Sequence, residues 1–281
     1  MELARAIGGV IVNADSMQVY REPRILTARP SDEDTAAVPH LLYGHVPARE
    51  HYSTGRYQSD AGHALHEVRK AGRVPVFTGG TGLYFRALTE GLADMPSVPA
   101  GVRMAAREEL AAIGNLAFHE KLAARDPVMA AQLNPGDGQR MLRAWEVLEA
   151  TGKSLAFWQQ NEGRPVLDGL NVVRFVVEVP REILRERIDA RFRAMLAGGA
   201  MAEALALEDL DPALPAARII GRRELLAVHD GAMTEDAAIE RAVTMTRQYA
   251  KRQDTWFRNQ FPDWIRLDGN GNLMSQMAKY L

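Results

Sequence analysis

Arg73-Val74-Pro75-Val76-Phe77, then Thr78-Gly79-Gly80-Thr81-Gly82, then an apolar-periodic run from Leu83 to about Gly91, is the stretch that most restricts what this chain can fold into. A short β run that ends in glycines and continues as a helix is the repeating step of a parallel sheet covered by helices, because parallel neighbours need a crossover connection. A similar strand, Val10-Ile11-Val12-Asn13-Ala14-Asp15, comes earlier, and Ser59 to Ala71 between them reads as helix. A third β run, Val172 to Val179, comes late. From the proline-marked segment Asp94-Met95-Pro96-Ser97-Val98-Pro99 to about Arg164 the periodicity is helical, with breaks at Gly114, at Asn134 to Gly138 and at Thr151-Gly152. The expected architecture is an α/β core formed by residues 1–93 and 165–281, interrupted by an all-helical insertion over 94–164. After Val179 only helices are expected, with turns near Gly198-Gly199, Asp211-Pro212 and Gly221.

Several classes of protein are excluded. No run approaches the roughly 20 apolar residues of a membrane span. The start, Met1 to Gly9, has neither the basic region nor the long apolar stretch of a signal peptide, so a cytoplasmic protein with no membrane partner is expected. Without a cysteine, disulfides, thiolate metal sites and a Cys nucleophile are impossible. The formal charge of −2 offers no overall positive field for a nucleic acid. Only five of the 34 basic residues are lysine; arginine's planar fork suits phosphate, although a GC-rich genome produces the same bias. Leu3, Ala4 and Ile7 read as about two turns of helix stopped by Gly8-Gly9, too little to stand alone. The expectation is that the fold has a further segment before Met1.

Candidate chemistry gathers in a few places. Ligands of open α/β sheets bind at the carboxyl ends of the strands, where Asp15 sits with Ser16 and Gln18. A carboxylate there can act as a general base, although on spacing alone a cap of the next turn is the simpler reading. Gly79-Gly80-Thr81-Gly82 frees backbone N–H groups to face a polar ligand, with Thr81 either a helix cap or a ligand contact. Thr151-Gly152-Lys153-Ser154 is not a P-loop, since Val147 stands where that motif needs a glycine; Gly152 is expected to end a helix. Gln139, Arg140 and Arg143 share one helix face, either a solvated face or one for RNA phosphates and bases. Arg181, Arg185, Arg187, Arg191 and Arg193 are interspersed with Glu182, Glu186 and Asp189 and read mostly as surface ion pairs. Arg247, Lys251 and Arg252 have no acid among them and are the better phosphate candidates. His63 and His66 share a helix face, but no further ligand is suggested, so no metal site is expected among the side chains.

Asn13 to Arg21, Gly79 to Tyr84, Gln139-Arg140-Met141-Leu142-Arg143-Ala144 and Tyr249 to Arg258 occur together in this order, and on them the chain resembles the bacterial tRNA dimethylallyltransferases, also called tRNA isopentenyltransferases, from Gly8 to about Phe261. The resemblance implies a P-loop-kinase-like parallel sheet flanked by helices, with a helical insertion domain that contacts tRNA. It implies transfer of the dimethylallyl group of dimethylallyl diphosphate to N6 of the adenosine 3′-adjacent to the anticodon, with release of diphosphate. The implied partners are the tRNA anticodon stem-loop and dimethylallyl diphosphate, with Mg²⁺ as cofactor and a monomeric, nucleotide-binding protein. Carried over, Asp15 is the general base and Thr81 the second catalytic residue. Asp15, Ser16, Met17, Gln18, Thr81, Arg103 and Gln139, Arg140, Met141, Leu142 and Arg143 are the implied tRNA contacts, and Arg223 and Arg247 the implied diphosphate ligands.

The sequence departs from the family pattern in three ways. The family opens with a strand and a glycine-rich P-loop that holds the diphosphate and, through its hydroxyl, Mg²⁺; neither that strand nor the loop is in this sequence, so the expected true start lies upstream of Met1. Arg222 stands where tyrosine is common, and Arg24 and Leu26 also replace commoner residues. Two alternatives follow: a catalytically impaired tRNA-binding remnant, and a small-molecule enzyme of the same fold, either an adenylate prenyltransferase or a nucleotide kinase.

Overall fold

A computed structural model describes residues 1–161 and 163–281. Cα packing divides the chain into two units, Met1–Thr89 with Val166–Leu281, and Glu90–Pro165. The first unit opens with α1 (Glu2–Ala6), β1 (Val10–Asn13), α2 (Asp32–Ala37), β2 (His40–Leu41), α3 (Thr54–Lys70), β3 (Pro75–Thr78) and α4 (Gly82–Thr89). β1 is the central strand, parallel to β2 in the register Ile11↔His40 and to β3 in the register Val10↔Pro75 through Asn13↔Thr78. Its four residues are all buried, which is why they read as an unbroken apolar run ending in one amide.

The second unit is helical: α5 (Ala100–Arg125), α6 (Pro127–Gln132), α7 (Gly138–Thr151) and α8 (Leu155–Gln159). α5 is broken at Gly114, whose φ of 78° and ψ of 169° lie outside the helical region. Gly152 closes α7 in the left-handed conformation, φ 68°, the helix end expected of it. The core of this unit is Phe118, Leu122, Met129, Met141, Trp145 and their neighbours. Helix stops at Gln159 rather than near Arg164. Glu162, inside the stretch expected to be helical, lies outside the described residues.

The chain returns to the first unit with β4 (Phe175–Glu178), α9 (Arg181–Ala197), α10 (Ala200–Leu205), a 3₁₀ turn over Pro215–Arg218, α11 (Arg222–His229), α12 (Glu235–Gln260), β5 (Ile265–Asp268) and α13 (Leu273–Met277). The expectation of helices alone after Val179 is corrected by β5, which pairs in parallel with β4 from Phe175↔Ile265 to Glu178↔Asp268. Four residues are too short a run to announce a strand by alternation.

Two of the departures have structural explanations. Arg222 is buried; its guanidinium donates from Nε to the Leu207 carbonyl at 2.9 Å and from Nη2 to the Glu208 carbonyl at 3.1 Å, fastening the end of α10 to α11. Arg24 pairs its guanidinium with Asp32, Nη2 to Oδ1 at 2.9 Å and Nη1 to Oδ2 at 3.1 Å, and its backbone takes part in a separate contact. The N–H groups of Arg24, Ile25 and Leu26 all donate to the Glu203 carboxylate of α10, at 2.8, 2.7 and 2.8 Å. Truncation at this carboxylate leaves three donors unpaired. Glu203→Ala is expected to lose about 2–4 kcal/mol of stability, with Glu203→Gln losing less. Thermal melting checks this, and a melting temperature equal to the parent's would show that water replaces the carboxylate.

Candidate active site

Asp15 follows the carboxyl end of β1. Asn13, with no exposed surface, builds the turn: its Nδ2 donates to the carbonyls of Asp15 (2.9 Å) and Leu42 (3.0 Å), and its Oδ1 accepts from the Asp15 N–H (2.8 Å). The Asp15 carboxylate accepts from the Met17 N–H at 2.8 Å, so the cap expected from the spacing is present. Burial is the largest influence on this carboxyl and raises its pKa, opposed by the N–H groups of Met17 and Gln18 and by the charge of Arg191. Being a cap does not prevent it from being a base. One oxygen holds the turn, and a carboxylate keeps acceptor capacity beyond that bond.

The turn after β3 closes on Asp15 from the adjoining strand. The Ala14 N–H donates to Thr78 (2.8 Å), and the Thr81 N–H donates to Ala14 (3.1 Å). The Thr81 hydroxyl accepts from the Ser16 N–H at 2.8 Å and donates to Ser16 Oγ at 3.1 Å. Gly79 is required because a Cβ there would lie 2.2 Å from the Ala14 carbonyl carbon, and Gly82 because a Cβ would meet the Trp256 ring at 2.2 Å. Beneath the site Tyr57 and Tyr84 stack with centroids 3.6 Å apart, and the Tyr57 hydroxyl donates to the Asn13 carbonyl at 3.1 Å.

Not all of the expected contacts point outward. Asp15, Ser16 and Thr81 are brought together. Gln18 uses its amide to donate to the Thr27 carbonyl (2.9 Å), and Met17 packs against the core. In the helical unit Met141 has no exposed surface and Leu142 packs on the core, so Met141 is corrected from a tRNA contact to a core residue. Arg140 is exposed and pairs with Asp137 at 3.3 Å, and Gln139 is exposed on the same first turn. Arg143 and Arg103 are half-buried, and with Arg107 their charges bear on Glu146, a carboxyl 7% exposed whose pKa is raised, burial outweighing the three arginines. Nothing in the local sequence singles out Arg107.

Arg223 and Arg247 are both exposed. The guanidinium whose charge reaches Asp15 is that of Arg191 on α9, a helix whose sequence reads as surface ion pairs. The Arg193–Asp189 contact at 2.9 Å fits that reading, whereas Arg191 itself forms no ion pair among the described residues. Tyr249 and Gln253, one turn apart on α12, also face the site. Gln253 donates to the Gly80 carbonyl at 2.8 Å, and the half-buried Tyr249 phenol has its pKa raised, chiefly by burial and then by the charge of Asp15. Their spacing of four was the available signal.

Among the described residues no group of three or more His, Asp or Glu side chains is placed to hold a metal ion. No helix among them is long and apolar enough to cross a membrane.

Residues 18–260 match the family described as IPP transferase. A tRNA dimethylallyltransferase of Rhizobium johnstonii is 50% identical over 270 residues, covering 95% of this chain and 91% of the relative. One from Sinorhizobium medicae is 48% identical over 271 residues, covering 95% and 89%. Among solved structures, the tRNA isopentenylpyrophosphate transferase of Bacillus halodurans superposes with a TM-score of 0.67 at 30% identity, over 99% of this chain and 88% of that one. A eukaryotic dimethylallyltransferase acting on tRNA superposes at 0.79 with 25% identity, over 98% and 71%. With the parallel sheet, the helical second unit and nearly full-length likeness in agreement, the chain belongs to the IPP transferase family of tRNA-modifying prenyltransferases.

Proposed function

We propose that this protein transfers a dimethylallyl group from dimethylallyl diphosphate to N6 of an adenosine 3′-adjacent to the tRNA anticodon, with Asp15 as general base. The observation that carries the reading is a half-buried, oriented carboxylate at the carboxyl end of a central parallel strand, with one oxygen anchored by the Met17 N–H. An adenine amine is a poor nucleophile. As its nitrogen bonds to C1 of the dimethylallyl group, the C1–O bond breaks, diphosphate leaves with the electron pair, and the N6 proton passes to Asp15. A stacked base must be extruded to reach such a site. The charge of Arg191 reaches Asp15, and Arg191 joins Arg223 and Arg247 as a candidate for holding the leaving diphosphate. Mg²⁺ belongs to the family expectation alone.

The half-buried Arg103 and Arg143, gathered with Arg107 about Glu146, favour RNA over a free nucleotide as acceptor, since phosphate contacts position a nucleic acid. The test is transfer of labelled dimethylallyl groups to tRNA, followed by nuclease digestion to locate the label. Label on N6 of that adenosine, with AMP neither competing nor accepting, supports the proposal. Prenylation of AMP in preference to tRNA would instead make this an adenylate prenyltransferase, and tRNA binding without any transfer would leave an RNA-binding protein. Arg103→Ala or Arg143→Ala is expected to weaken tRNA binding and to reduce the slope of log K against log salt by roughly 0.7–0.9 for each phosphate that the variant no longer neutralises. An unchanged slope would remove that arginine from the interface.

A further inference from the structure

The loop that follows Asp15 is held by two side chains that reach across it in opposite directions. Going forward, Gln18 Nε2 donates to the Thr27 carbonyl at 2.9 Å and, more loosely, to the Ala28 carbonyl at 3.4 Å. Coming back, Nη1 of the half-buried Arg29 donates to the carbonyls of Tyr20 (2.9 Å) and Arg21 (3.1 Å). The guanidinium fills the hollow over Gly44, where a Cβ would lie 1.7 Å from Nη1. The Gly44 N–H donates in turn to the Gln18 carbonyl at 2.9 Å. Residues 18–21, 27–29 and 44 are thus tied into one unit with Arg29 at its centre.

Backbone strain marks the same place. Among the described residues two that are not glycine have φ in the left-handed region, Ala28 at 52° and Leu42 at 63°. Both lie against this loop: the Ala28 carbonyl accepts from Gln18, and the Leu42 carbonyl from Asn13 at 3.0 Å. Such conformations persist only where the surroundings hold them. For Ala28 the next side chain along is Arg29. With the guanidinium gone, residue 28 can relax toward extended backbone and carry the carbonyls of Thr27 and Ala28 away from Gln18.

Hydrogen-bond capacity says what is being held. Carbonyl oxygens only accept, so the Gln18 atom facing them is the amide nitrogen, and both of its hydrogens are spent there. The amide oxygen accepts no hydrogen bond among the described residues. An adenine amine has two N–H bonds. One proton goes to Asp15; as the nitrogen bonds to carbon, the other N–H becomes a stronger donor, so a second acceptor favours the transition state over the bound substrate. We propose that Arg29 is a positioning residue of the transfer site: it keeps Thr27 and Ala28 against the Gln18 amide nitrogen, so that the amide oxygen, three residues from Asp15, is presented as the second acceptor for the adenine amine. The inference rests on the transfer proposed at Asp15.

Arg29→Met keeps an unbranched stem and removes the donors. The expected result is a loss of about tenfold in kcat, with KM for dimethylallyl diphosphate unchanged within about twofold, since a misplaced acceptor is missed chiefly in the transition state. Gln18→Leu should lose at least as much, and the double variant should be no worse than Gln18→Leu alone, because Arg29 acts through Gln18. Additive losses would mean that the two residues act separately. A raised KM for dimethylallyl diphosphate at unchanged kcat would mean that Arg29 touches that substrate; either overturns the proposal.

A second measurement needs no turnover and separates positioning from loss of stability. Anticodon stem-loops carrying adenosine or purine riboside at the target position differ by the N6 amine alone. The parent protein should prefer the adenosine form by roughly 3–10-fold, the net worth of a hydrogen bond. Arg29→Met and Gln18→Leu should shrink that preference by the same factor. Glu203→Ala, which loosens the same loop at residues 24–26, should keep it. A preference kept by Arg29→Met, or lost equally in Glu203→Ala, would overturn the inference and leave the Asp15 reading standing. No preference in the parent would overturn both.

Discussion

Asp15→Asn is expected to slow dimethylallyl transfer by about 10²–10⁴-fold, the usual contribution of a positioned general base. The variant isolates proton acceptance because an asparagine oxygen can still take the Met17 N–H bond that holds the turn at 2.8 Å in the parent. Stability should not fall. Burial raises the Asp15 pKa, so the folded protein binds this proton more tightly than the unfolded chain does, and the ionised carboxyl costs stability above the unfolded value. Removing that charge at neutral pH is neutral or stabilising. Inactivity with an unchanged or raised melting temperature is the expected pair of results. The raised pKa has a kinetic consequence too: as pH falls through it the base is protonated and the rate declines, so the acidic limb should lie above the ordinary aspartate value near 3.8. An asparagine variant with the parent's rate and pH profile would remove Asp15 from the chemistry.

Gly79→Ala should be the most damaging single-methyl change in the first unit. Its Cβ would sit 2.2 and 2.3 Å from the Ala14 carbonyl carbon and oxygen and 2.7 Å from the Asp15 nitrogen, all backbone atoms that cannot rotate aside. The ends of β1 and β3 must separate instead. That stretches the Ala14–Thr78 and Thr81–Ala14 hydrogen bonds and draws Thr81 away from Ser16. Overpacking of this kind costs about 1–3 kcal/mol. The expected loss of rate is larger, on the order of 10²-fold, because the two displaced strand ends carry Asp15 and Thr81. Gly80→Ala is the comparison. Its new Cβ would meet the Gln253 amide nitrogen at 2.2 Å, the mobile end of a long side chain that can swing away. Chemical denaturation and the transfer assay together check both; equal effects from the two would mean that the backbone contact at Gly79 relaxes freely.

What was legible in the sequence was whatever a local pattern carries. The strand–glycine–helix step around Gly79, the apolar run of β1 and the helix break at Gly152 each follow from a few adjacent residues. Asp15 stood out for its place after a strand, and both roles considered for it rest on the same turn. Less legible was anything decided by helix phase. Met141 sits in a motif with Arg140 and Arg143, yet its position on α7 turns it into the core with Trp145. Arg191 lies in a helix rich in both charges, and nothing local separates it from Arg193, which pairs with Asp189. Gln253 stands four residues after Tyr249 but carries no indication of which partner it meets, since Gly80 is more than 160 residues away. β5 was missed because its pairing with β4, not its own four residues, makes it a strand.

The grip of Glu203 on the N–H groups of Arg24, Ile25 and Leu26 joins positions 177–179 residues apart. Contacts so distant in sequence form late, because the intervening loop must close before they yield anything. On the ribosome, the loop that follows Asp15 therefore has no carboxylate to close on until α10 has emerged. The helical unit is one continuous stretch and can pack its own core much earlier. The nascent chain thus carries a finished helical body while the loop that follows Asp15 still lacks its anchor.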